Sequence, residues 1–203
     1  AEDAPDLGSL ARLSYADELR GDLPGALAAM EKAAASPGLA PENTAYVLAL
    51  VGQLRRLGGD ADGAASAYKQ ALSLVSGHAP SLVGQARLAV GRGDLAEAQG
   101  LYERAAGIVP LPEYVIALGE TLEARGDDAG ARDQYELAGV LIELFRANGS
   151  VVDVDLALFE ADHGDAAAAL ELAQAGYAAT PTVRAADAVA WALHRLGRDD
   201  EAA

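Results

Sequence analysis

Glu160, Asp162, His163 and Asp165 stand within six residues of one another. Carboxylate oxygens and an imidazole nitrogen at that density are donors that hold zinc or manganese. A plainer use competes with the metal. His163 stands where a helix ends, immediately before Gly164, and Asp165 is placed to cap the next helix, so no metal or other cofactor is expected. Arg-Gly-Asp, a potential adhesion motif, occurs at Arg20-Gly21-Asp22, Arg92-Gly93-Asp94 and Arg125-Gly126-Asp127. In all three, glycine and aspartate have a structural job in a turn, and arginine at a helix C-terminus suits the helix dipole. There is no Gly-x-Ser-x-Gly, phosphate loop or dinucleotide fingerprint. Ser150, after Gly149, reads as a helix start, and His78 and His194 have no visible partners. The chain is therefore expected not to be an enzyme.

The bulk composition narrows the partners. The net charge is −16, with acidic residues spread along all 203 positions. No basic stripe is present to displace counterions, which argues against nucleic acid and against an anionic membrane surface. No cysteine is present, so disulfides and thiolate metal sites are excluded. No apolar run approaches the roughly 20 residues that span a bilayer, so no membrane insertion by this segment is expected. Apolar residues make up 51%, yet aromatic ones only 5%, and alanine supplies much of the difference. That balance fits close-packed helices better than sheets.

The elements that position these residues follow from a period. A glycine followed by an acidic or polar residue recurs at Gly21, Gly59, Gly93, Gly126, Gly164 and Gly197, at intervals of 38, 34, 33, 38 and 33 residues. Alanine stands five residues after each: Ala26, Ala64, Ala98, Ala131, Ala169 and Ala202. Seven residues before each stands a small residue: Ser14, Gly52, Ala86, Gly119, Ala157 or Ala190. The residue before that is usually large and apolar, as at Leu13, Val51, Leu118, Leu156 and Val189. Nine after come Met30, Tyr68, Tyr102, Tyr135 and Ala173; twelve after come Ala33, Ala71, Ala105, Ala138 and Gly176. These offsets follow the helical repeat, so each unit reads as helix, tight turn, helix. The glycine ends the first helix in a left-handed backbone, and the aspartate caps the second.

The pattern resembles the tetratricopeptide repeat (TPR). Gly93-Asp94, Ala98, Tyr102, Ala105 and Pro110 carry it in the third unit; Leu118-Gly119, Gly126-Asp127, Ala131, Tyr135 and Ala138 carry it in the fourth. With the abundance of arginine, alanine and glycine, the chain is similar to multi-repeat TPR proteins of high-GC bacteria. The resemblance implies an all-α fold, a right-handed α-solenoid of antiparallel helix pairs, as one array with repeats at 6–38, 39–77, 78–110, 111–148 and 149–181 and a partial one at 182–203. It also implies a non-catalytic scaffold whose first helices form a concave face for a protein or peptide. Carried onto this chain, the partner-binding residues of that face are Tyr15, Tyr46, Gln53, Arg56, Val83, Arg87, Glu120, Glu123, Val154, Leu158 and Trp191, with Val151 beside them. Arg56 and Arg87 come from adjacent units and could grip a carboxylate or phosphate. Glu120 and Glu123 would repel it, and Val154 and Leu158 would form an apolar floor.

Two alternatives stay open. One is a structural module that self-associates through 140–145 or the array ends; the other is an accessory region that binds a small ligand or metal within a larger protein. The fourth unit is long because its second helix runs on through Gly139 to Ala147, carrying Val140, Leu141, Ile142, Leu144 and Phe145. Either the fifth unit packs over that extension or a partner does. The chain starts at Ala1 without methionine and its sixth unit stops at Ala203, so a piece of a longer array is expected. Similarity of the stretch from Phe159 to Asp165, and of that around Trp191, to anchored bacterial repeat proteins gives an extracytoplasmic or membrane-anchored full-length protein as the expectation, with a cytoplasmic one as the alternative.

Overall fold

The computed structural model describes residues 6–149 and 153–202; Ser150 and Val151 fall outside them. All regular structure among the described residues is helical. Among the described residues, six first helices, α1 (Leu7–Leu19), α3 (Pro41–Leu57), α5 (Ala79–Gly91), α7 (Pro112–Ala124), α9 (Asp153–His163) and α11 (Val183–Arg195), alternate with six second helices. The second helices are α2 (Leu23–Ala34), α4 (Ala61–Leu74), α6 (Leu95–Ile108), α8 (Asp128–Ala147), α10 (Ala166–Ala179) and the short α12 (Asp199–Ala202). No described helix is long and apolar enough to cross a membrane. The chain forms two compact units. The first runs to Pro110 and includes Ala124–Gly126; the second holds Leu111–Glu123 and everything from Asp127.

Local chemistry explains the turns. Gly21, Gly59, Gly93, Gly126 and Gly197 have φ of 78°, 83°, 77°, 82° and 71°, a region that penalises any Cβ. The N–H after each glycine reaches back to the carbonyl five residues earlier, as in Asp60 to Arg55 at 2.8 Å and Asp94 to Ala89 at 2.9 Å. This is the glycine-dependent closure of a helix C-terminus. The next helix is then capped by the aspartate: Asp22, Asp60, Asp94 and Asp127 accept from Gly25, Gly63, Glu97 and Gly130 at 2.9, 2.8, 3.1 and 3.0 Å. The three Arg-Gly-Asp aspartates are therefore engaged as caps.

Gly164 departs from the expected turn, because its φ is not positive. Here the Asp165 N–H is taken by the Glu160 side chain at 3.1 Å instead of by a backbone carbonyl. A Cβ at Gly164 would come within 2.0 Å of Glu160 Oε2, so a side chain there would push the Glu160 carboxylate off the Asp165 N–H.

The repeated small positions bring helices into contact. Ala26, Ala64, Ala98 and Ala169 are fully buried, as are Ala33, Ala71, Ala105 and Ala138 at the later offset. In the first unit, Tyr68 of α4 enters between two first helices. Cβ atoms added at Gly52 of α3 and Gly84 of α5 would lie 2.5 and 2.3 Å from its ring. Those glycines are the space the ring occupies. Leu13, grouped by register with the core, is instead half exposed; no described helix precedes α1 to cover that side. In the second unit, Ile142 is fully buried and packs with Leu156, Phe145, Phe159 and Leu172, while Val140 and Leu144 of the same helix are 66% and 55% exposed. The extension of α8 is thus covered on one side by α9 and α10 and open on the other.

Helical glycines with no neighbour give a direct test of this packing. A Cβ at Gly100 of α6 would meet nothing within 4 Å. Gly100→Ala is expected to raise stability by about 0.5–1 kcal/mol through the lost backbone entropy alone. An unchanged or lowered urea midpoint would contradict it.

Candidate binding face

In the first unit, α1, α2 and α3 enclose a pocket of about 240 Å³. Met30, Leu50 and Leu54 supply its apolar wall, and Tyr15, Glu18, Tyr46 and Gln53 line it as well. Tyr15 and Tyr46 are 63% and 53% exposed. Tyr46, Gln53 and Arg56 follow at i, i+7 and i+10, so they share one stripe of α3. Arg56 extends that stripe away from the pocket, and the Tyr68 ring lies beside it. Burial pushes the Tyr68 hydroxyl above the usual phenol range, and the charges of Arg56 and Arg87 pull against that rise. Arg87 is exposed, and Arg56 is half-buried with an Nε that has no hydrogen-bond partner among the described residues.

In the second unit, Glu120, Glu123, Tyr135, Phe159, Asp162, His163 and Trp191 converge. The Tyr135 hydroxyl donates to Glu123 Oε2 at 2.9 Å, and its ring stacks on His163 with centroids 3.9 Å apart. Phe159 meets the Tyr135 ring edge-on at 6.2 Å. His163 Nε2 is 3.7 Å from Glu120 Oε1. Trp191 Nε1 donates to Asp162 Oδ1 at 2.8 Å. Burial raises the Glu120 carboxyl, with His163 opposing it. Burial, and then the bond to Glu123, holds the Tyr135 hydroxyl well above the usual phenol range.

No protein-family model matches the chain, and no curated protein matches it in sequence. Solved structures match over nearly all of it. A tetratricopeptide repeat protein from Parabacteroides merdae is 19% identical; 97% of this chain aligns with 75% of that one at a TM-score of 0.53. A chain of the APC/C hetero-tetramer Cut9–Hcn1 is 16% identical; 94% of this chain aligns with 37% of that one at a TM-score of 0.59. The chain has the tetratricopeptide-repeat fold.

Within the repeats, the residues named from sequence fall into different surroundings. Tyr15, Tyr46 and Gln53 share the first unit's pocket, and Arg56 and Arg87 flank Tyr68. Val83 is a correction. It is only 3% exposed and so is removed from any solvent-facing TPR surface. Its position on α5, one residue before Gly84, turns it into the packed side of the repeat. Glu120, Glu123 and Trp191 join the aromatic cluster of the second unit. Val154 and Leu158 are half-buried against Ala157, Ala173 and Ala188, so much of their apolar surface is spent on the repeat's own core. The four residues that suggested a metal have separate partners: Glu160 bonds the Asp165 N–H, Asp165 caps α10, Asp162 accepts from Trp191, and His163 stacks on Tyr135.

Both remaining histidines, without visible partners in sequence, have them in the fold. His78 Nδ1 is 2.8 Å from Ser81 Oγ, and His194 Nδ1 is 2.7 Å from Asp199 Oδ1. Sequence reasoning did not foresee that Phe159, Asp162 and His163 meet Tyr135, Glu120 and Trp191 in one cluster, or that Tyr68 lies beside Arg56 and Arg87. The i, i+4 spacing of Phe159 and His163, which puts both rings on one helical face, was the available signal.

Proposed function

We propose that this chain is a non-catalytic scaffold that binds an extended protein or peptide segment along its first helices, seated in the first unit on the pocket between α1 and α3. The observation that carries the reading is the pocket itself. At about 240 Å³ it is below the roughly 300–1,000 Å³ range of small-molecule sites, yet large enough for one bulky apolar side chain. Exposed Tyr15 and Tyr46 supply rigid, amphipathic contact area, the kind that dominates binding energy at protein interfaces. None of its lining groups is a nucleophile paired with a base, which favours binding over catalysis.

Selection of twelve-residue peptides from a random display library against the purified chain tests this. The expected result is enrichment of peptides with a large apolar residue, whose affinity falls roughly tenfold or more with Tyr46→Ala, a loss of about 1.4 kcal/mol or more. The circular dichroism spectrum should stay unchanged. Enriched peptides that bind Tyr46→Ala and the parent chain equally would rule out this pocket as the seat.

A further inference from the structure

Arg56 and Arg87 both lie beside Tyr68, in a chain with 31 acidic residues against 15 basic ones. Arg20, Arg55, Arg92, Arg146, Arg184 and Arg198 each sit within 4.0 Å of a carboxylate. Among the described residues, neither Arg56 nor Arg87 has such a partner.

Their position is set by packing. The Tyr68 ring is held between Gly52 and Gly84, with Cζ within 2.8 and 2.3 Å of the two Cβ positions. Arg56 is one turn beyond Gly52 on α3, and Arg87 is one turn beyond Gly84 on α5. The hydroxyl end of Tyr68 therefore projects between two helices that each carry a guanidinium at that level. The buried, unsatisfied Nε of Arg56 is a donor that folding alone leaves without an acceptor. Like charges gathered in this way, with a free donor, call for an anion.

We propose that Arg56, Arg87 and the Tyr68 hydroxyl form a carboxylate-binding site that takes an aspartate or glutamate side chain of the bound segment. The inference rests on the scaffold reading above and adds the partner's chemistry: an acidic residue next to the apolar one that fills the pocket. Gln53 links the two positions, since it lines the pocket and lies three residues before Arg56 on the same stripe. Arginine suits this role because its planar fork offers two parallel N–H donors to one carboxylate. The net charge of −16 opposes long-range attraction of an acidic partner. Selectivity must then come from short-range pairing, over less than the screening length of about 8 Å at physiological salt.

The test uses an enriched apolar peptide from the display selection, synthesised with aspartate, asparagine or phosphoserine at its acidic position, and titrated against the full chain. The aspartate form is expected to bind about tenfold or more tighter than the asparagine form, the size of a charge-assisted hydrogen bond. That preference should vanish with Arg56→Gln/Arg87→Gln. It should shrink with Arg87→Gln alone, where the exposed side chain leaves folding untouched. Tyr46→Ala should weaken the aspartate and asparagine forms equally.

Equal binding of aspartate and asparagine forms, or a preference that survives in the double variant, overturns the carboxylate site while the scaffold reading stands. Phosphoserine binding tenfold tighter than aspartate overturns it in favour of a phosphate. No enriched peptide at all overturns both readings.

Discussion

Replacing Tyr68 by alanine is expected to destabilise the first unit by about 3–5 kcal/mol, the cost of emptying a large buried aromatic site. The ring is 3% exposed and fills the space between α3, α4 and α5, with Gly52 and Gly84 against it. Neither glycine can grow a side chain to refill the void, so the loss should appear in full. Amide exchange in α3, α4 and α5, together with the urea midpoint, reads the effect locally. Gly84→Ala supplies the complementary arm. In the parent chain its Cβ would press on the ring at 2.3 Å, costing about 1–3 kcal/mol as overpacking. In the Tyr68→Ala background that cost should largely disappear. Equal costs for Gly84→Ala in both backgrounds would show that the ring and the glycine do not share this space. Tyr68→Phe separates structure from binding. It keeps the packing and removes only the hydroxyl that the carboxylate proposal uses.

The second large effect is expected at Ile142. This side chain is fully buried and joins α8 to Leu156 of α9 and Leu172 of α10. Ile142→Ala should cost the second unit about 2–5 kcal/mol. Val140→Ala and Leu144→Ala, two residues to either side on the same helix, should each stay within about 0.5 kcal/mol, because their surfaces are open. Thermal unfolding of the three variants at two protein concentrations checks this. A cost at Val140 or Leu144 comparable to that at Ile142, growing with concentration, would mean that a second copy covers that face.

These contrasts show how much could be read in advance. The TPR fold was legible because its determinants are local and recur at fixed offsets. A positive φ calls for glycine at Gly59 or Gly93, an orphan N–H calls for aspartate at Asp60 or Asp94, and a close helix pair calls for alanine at Ala64 or Ala98. The exception at Gly164 turned on one side chain, Glu160, that replaces a backbone carbonyl. Offsets alone could not show that the turn had a different acceptor. Candidate site residues were less legible. Register placed Tyr15, Tyr46, Gln53, Arg56, Val83 and Arg87 on first helices alike, yet Val83 is packed away while Arg87 is exposed.

The amino-acid sequence by itself determined the helix–turn–helix repeat and the glycine–aspartate turns of most units, since those depend on residues within a turn or two of each other. Tertiary structure alone decided which first-helix residues remain accessible and which meet. Whether Val83 is covered, whether Arg56 and Arg87 flank one tyrosine, and whether His163 stacks on Tyr135 all depend on side chains from different helices. Contacts between residues far apart along the chain are set by helix packing, and that is not recorded in the spacing of any one repeat.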